Sequence, residues 1–174
     1  MNTPAEQVVS TAALGRAPCH VPDPAPRQRG KEEKPLDSLD ALSPIQHIMW
    51  SHQHIATIIR AEYAPDQTRF VTPDHYYQQA GFIVYPKGGH IRRHAHLPLQ
   101  RHLTGTPETL ILRKGKIDID LYAMDKSFLG TWTLSTGDII LLVSGGHQCR
   151  CLEDSVLLEI KQGPYTGFTE KEFF

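Results

Sequence analysis

The chain has 174 residues, a formal net charge of -1 and a pI near 6.8, which suits one domain with a real core. It gives no electrostatic reason to expect nucleic acid or an anionic membrane as partner. No apolar run approaches the roughly eighteen residues that cross a bilayer, no basic segment followed by an apolar stretch suggests a signal peptide, and the three cysteines do not read as a disulfide framework.

Cys19 stands apart, while Cys149 and Cys151 lie two apart on one strand, a poor geometry for pairing with each other. A cytoplasmic protein with reduced thiols is expected. Seven of the thirteen prolines fall before residue 45, and a Pro-Ala stretch there runs into Arg-Gln-Arg-Gly-Lys-Glu-Glu-Lys. Such composition buries too little apolar surface to offset its ordering entropy. Residues 1–40 therefore read as a mostly disordered extension, and 41–174 as the folded domain.

The domain opens at Leu42, Ile45, Ile48 and Met49, whose spacing is roughly helical. Pro44 limits this to a short helix that Ser43 could cap. From there the pattern turns to β. His54–Tyr63, Arg69–Thr72, Ala80–Tyr85, Ile91–His96, Glu108–Arg113, Lys116–Tyr122, Phe128–Leu134, Ile139–Val143, Gln148–Leu152 and Val156–Lys161 are short branched or alternating runs. Pro-Lys-Gly-Gly, Lys-Gly, Thr-Gly-Asp, Gly-Gly and Glu-Asp separate several of them. Many short strands at near-regular intervals predict an all-β sandwich or barrel.

Four side chains stand out. Alternation points His94 and His96 the same way, about 7 Å apart along a strand, so both imidazoles can meet one ion. Glu108 opens the next strand, and His147 follows a Gly-Gly pair that lets the backbone turn tightly. Three imidazoles and a carboxylate suit Fe, Mn, Ni, Cu or Zn, with no choice among them. The pair alone proves little, because ten histidines also produce His52-Gln-His54, which receives no role.

The frame around the pair carries more weight. Five residues separate Gly88 from His94, His96 completes the pair, and six residues separate Glu108 from Gly115. Gly137-Asp-Ile-Ile-Leu-Leu-Val-Ser-Gly-Gly-His147 then runs from glycine to histidine. These segments resemble the two motifs of the cupin superfamily over about residues 55–174. There are three departures: Val143 stands where proline is usual, the glycine-to-histidine run is one residue short, and the 97–107 spacer is long. Arg101–Glu108, Gly145–His147 with Leu152-Glu-Asp154, and Glu159–Tyr165 are similar to a small single-domain subgroup linked with polysaccharide or sugar biosynthesis. The resemblance implies a double-stranded β-helix, a jelly-roll barrel that pairs as a homodimer and holds the metal inside. The short turn bears on how His147 is aimed, and His102 is the substitute ligand if it misses.

Other residues offer chemistry around that site. Glu159 and Lys161 share a face and could move protons. Arg92 shares the face of His94 and could hold an anionic substrate bidentately. Tyr85 and Tyr165 are candidates for the mouth. Cys149 and Cys151 face inward if His147 does, as packed thiols or as a thiolate near the metal.

Three functions are compatible with this pattern. One is a metal-dependent enzyme acting on a small polar molecule by Lewis-acid or O₂-activating chemistry. Another is a metal-free sugar isomerase or epimerase with a histidine base. The last is a non-catalytic binding module that uses its N-terminal extension.

Overall fold

A computed structural model describes residues 43–164 and 170–174. The expectation for residues 1–40, and that for Tyr165, lie outside the described residues. All described residues fall within one compact unit. Ten strands run in chain order: β1 Ile45–Trp50, β2 Gln53–Ile59, β3 Arg69–Phe70, β4 Gly81–Phe82 and β5 Glu108–Lys114 come first. β6 Lys116–Tyr122, β7 Phe128–Ser135, β8 Ile139–Leu142, β9 Gly146–Cys151 and β10 Val156–Lys161 follow.

Among the described residues the strands form three antiparallel sheets, ordered β1-β2-β8-β5-β10, β7-β6-β9 and β3-β4, and no sheet closes on itself. The all-β expectation therefore holds. No helix long and apolar enough to cross a membrane occurs among the described residues.

Alternation explains how the two larger sheets share a core. On β6, Ile117, Ile119 and Leu121 are fully buried on one face. Asp118 and Asp120 occupy the other face, where Thr133 and Thr131 donate hydroxyl hydrogen bonds to them. The opposing sheet supplies Ile58 from β2, Ile140 and Leu142 from β8, and Leu110 and Leu112 from β5. Each fully buried Leu or Ile contributes about 1.5–3 kcal/mol over exposure.

Two local expectations are corrected. Residues 45–50 form a strand, not a short helix, because the chain turns straight back on itself. Trp50 pairs with Gln53 across Ser51 and His52, both at positive φ (45° and 66°). A two-residue turn with both central residues at positive φ matches the twist of paired strands. Ser-His lacks the Asn-Gly signature that announces such a turn, so the hairpin was not legible.

The second correction concerns Ile91–His96. The stretch from 83 to 107 contains no strand. A β pattern becomes a strand only when a neighbour supplies the hydrogen-bonded ladder. Leu97 and Leu99 of this stretch are exposed.

Candidate functional site

The site forms where the two larger sheets face each other near their β9 and β10 edges. Register builds it. Lys161 pairs with Glu108, and Glu159 with Leu110, so both β10 side chains share the face that carries Leu110 into the core. On the other sheet His147 pairs with Leu121, Cys149 with Ile119 and Cys151 with Ile117, all on the core face of β6. Alternation thus brings Glu108, His147, Glu159 and Lys161 to one place.

Glu108 is the hub. It is 7% exposed, and its two oxygens face different partners. Oε1 lies 3.3 Å from Lys161 Nζ, and Oε2 lies 3.4 Å from His147 Nε2. Lys161 also reaches Glu159 Oε1 at 3.3 Å. Burial pulls the Lys161 ammonium down, but its hydrogen bonds to Glu159 and Glu108 outweigh that and hold its pKa above the ordinary value.

For His147 the balance runs the other way. Burial lowers its pKa, with Lys171 and Lys161 acting in the same direction, against the raising effect of Glu108 and Glu159. Burial thus holds the His147 imidazole below its ordinary pKa even with Glu108 Oε2 3.4 Å away.

The approach of His147 depends on two glycines. Gly145 sits at φ +75°, and a Cβ there would strike the Tyr122 carbonyl oxygen. A Cβ at Gly146 would stand 2.7 Å from the ring of Phe174. That ring packs edge-on against Tyr122 at 5.3 Å between centroids, with Lys126 Nζ 5.3 Å from its centre. Lys126 also pairs with Glu172 at 2.6 Å. Phe174 thus packs against the start of β9, and Glu172 against the turn between β6 and β7. No sequence signal pointed to this, because the contact joins residues far apart in the chain.

Burial, followed by the neighbouring Cys151, Glu108 and Asp120, pushes the Cys149 thiol up to about 11, even though part of the residue is open to solvent. It stays a thiol at neutral pH, which favours packing over a thiolate role. In a Cys19→Ser, Cys151→Ser background, iodoacetamide should alkylate Cys149 at pH 8 at least about tenfold slower than free cysteine, because the thiolate is scarce. The rate should keep climbing through pH 10. A plateau by pH 9 contradicts the assignment.

The remaining predicted residues lie on the irregular 83–107 stretch. His94 and His96 stand together with ring centroids 5.2 Å apart, and both are exposed. His94 Nδ1 lies 2.8 Å from the Arg92 carbonyl oxygen, which can only accept. In the neutral tautomer that this contact selects, Nδ1 carries the proton and Nε2 keeps a lone pair for a ligand. Arg92, His102 and Tyr85 are exposed on the same stretch. The structure brings the expected ligands together as two pairs, Glu108 with His147 and His94 with His96. Among the described residues no group of three or more His, Cys, Asp or Glu side chains is gathered to hold a metal ion.

Compared with known proteins, the chain matches no family model, no curated protein and no solved structure.

Proposed function

We propose that the chain is a metal-dependent enzyme of the cupin type that acts on a small polar molecule at the Glu108–His147 edge. The observation that carries this reading is the 3.4 Å between Glu108 Oε2 and His147 Nε2. Two atoms bonded to one ion at about 2.1 Å stand about 3.0 Å apart at octahedral angles and about 3.4 Å at tetrahedral ones. The pair therefore fits adjacent positions around a divalent transition ion, and the lowered pKa of His147 favours the neutral imidazole that such a bond requires. His94 and His96 are the other two ligands in this reading.

The finer architecture, a jelly-roll barrel, follows from the same idea. Among the described residues β9 ends its sheet, and Ile91–His96 carries a strand pattern without a paired strand. Laid on that free edge, the stretch would enlarge the sheet and carry its histidines toward His147. A bound ion would supply Lewis acidity or, if redox-active, a site for O₂. Glu159, whose side chain is 44% exposed beside Lys161, is open to solvent and placed to exchange protons with a bound molecule.

One observation favours a second reading. The Lys161 ammonium already balances the Glu108 carboxylate, as a metal-free acid–base site would arrange it. That version is an isomerase or epimerase in which neutral His147 is the base.

Chelator-treated full-length protein titrated with Fe(II), Mn(II), Ni(II), Cu(II) and Zn(II) separates the two. One tightly bound ion per chain, lost in His147→Ala and in His94→Ala, is the expected result. No uptake of any of the five removes the metal reading and leaves the acid–base one.

A further inference from the structure

The five-stranded sheet has a second face that the site does not use. Thr57 pairs with Leu141, one residue out of step with the Ala56–Leu142 pair that faces the core, so Thr57 and Leu141 point to the other side. There the 72–78 and 104–107 segments pass over β8 and flank a half-open cleft of about 180 Å³. Leu141, Val143, Pro107 and Tyr77 give it apolar walls, and Tyr76 and Thr104 bring hydroxyl-bearing side chains to it.

His54, from the His-x-His pair that received no role, organises the polar side. Its Nε2 lies 3.0 Å from the Ala56 carbonyl oxygen, which can only accept, so Nε2 carries the proton. The same nitrogen lies 2.8 Å from Thr57 Oγ1, which is 2.9 Å from His47 Nδ1. With Nε2–H committed, Nδ1 of the neutral ring is an acceptor. It lies 2.7 Å from the Tyr76 hydroxyl, which therefore donates to it. Burial keeps the ring neutral by holding the His54 pKa below its ordinary value, and His47 adds to this against the opposing hydrogen bond to Ala56.

The consequence is a directional acceptor. The single proton of Tyr76 is spent on His54, so its oxygen can offer only lone pairs to anything else. Size narrows the occupant further. An apolar cavity of about 150 Å³ takes one benzene ring, and drug-sized ligands need about 300 Å³ or more. A cleft of about 180 Å³ matches one ring with a small substituent.

We propose that this cleft is a binding site for a single-ring aromatic molecule bearing a hydroxyl or N–H group, which donates its hydrogen bond to the Tyr76 oxygen. The cleft lies on the other face of the sheet and shares no residue with the Glu108 cluster.

Phenol and anisole are the test pair, because they share the ring and differ in the donor. Isothermal titration of the full chain should show saturable binding of both, with phenol about three- to tenfold tighter, the range of one net hydrogen bond. Tyr76→Phe should erase that preference and leave anisole unchanged. Leu141→Trp, which fills the cavity from its floor, should abolish both. Should that buried position not tolerate the larger ring, as judged by circular dichroism, Thr104→Trp fills the cavity from its rim with the same expected loss. Absence of saturable phenol binding overturns the proposal. So does equal affinity for phenol and anisole in the unaltered chain, or phenol affinity unchanged by a folded cavity-filling variant.

Discussion

Replacing Asp138 by alanine should cost about 3 kcal/mol of folding stability, the scale of a buried charge pair broken on one side. Asp138 is 4% exposed and its carboxylate is the meeting point of several segments. Oδ1 accepts from the Ala61 amide at 2.9 Å, while Oδ2 accepts from the Ser135 amide at 3.0 Å and from Arg60 Nη1 at 2.9 Å. Arg60 in turn donates to the Thr133 carbonyl and to Gln46 Oε1. The carboxylate thus ties the end of β2 to the β7–β8 turn.

Alanine would leave the Ala61 and Ser135 amides without their side-chain acceptor and the Arg60 guanidinium without its counter-charge, and the desolvation cost of such groups dominates. Arg60 is partly exposed, so Arg60→Ala should cost less than Asp138→Ala. Urea denaturation of both variants checks the order. A loss below about 1 kcal/mol for Asp138→Ala contradicts this account of the turn.

Lys161→Met should tighten divalent-ion binding about tenfold, whereas Glu108→Gln should weaken it at least about a hundredfold. Both follow from one geometry. The Lys161 ammonium stands 3.3 Å from the carboxylate that would hold the ion, so it competes with any cation there. Methionine keeps the length and apolar stem of lysine without the charge. Glutamine keeps an oxygen at Glu108 but removes the negative charge that draws the ion. The acid–base reading expects neither effect, because Lys161 then serves Glu108 directly and its loss only disables the site. Competition titration with a fluorescent Zn(II) chelator measures both variants. Equal affinity in Lys161→Met and the unaltered chain would count against an ion at Glu108.

What the sequence made legible follows from where the physics is local. Lys116-Ile-Asp-Ile-Asp-Leu-Tyr alternates cleanly, and β6 spans those residues. Val156–Lys161 is β10 with the expected bounds. The shared face of Glu159 and Lys161, and that of His147 with Cys149, also came from alternation alone, since period two is a property of the backbone.

The features that escaped depend on partners distant in the chain. Ser51-His52 carries no turn signature. Ile91–His96 has a strand pattern, yet strand formation needs a neighbour that no local pattern can supply. His54 looked like composition noise because Tyr76, Thr57 and His47 meet it only after the sheet forms and the 72–78 segment covers it. Phe174 reached Gly146 for a similar reason, since a glycine records that something comes close without saying what.

In the proposed function one divalent ion would sit between Glu108 and His147, with His94 and His96 completing its ligands. The most direct measurement is an anomalous-difference map from crystals of the full chain loaded with Zn(II) and recorded at the zinc edge. The account expects a single peak within bonding distance, about 2.0–2.2 Å, of Glu108 Oε2 and His147 Nε2, with the two imidazoles of residues 94 and 96 drawn to it. A map with no peak there, and with Lys161 still bridging Glu108 and Glu159, would contradict it.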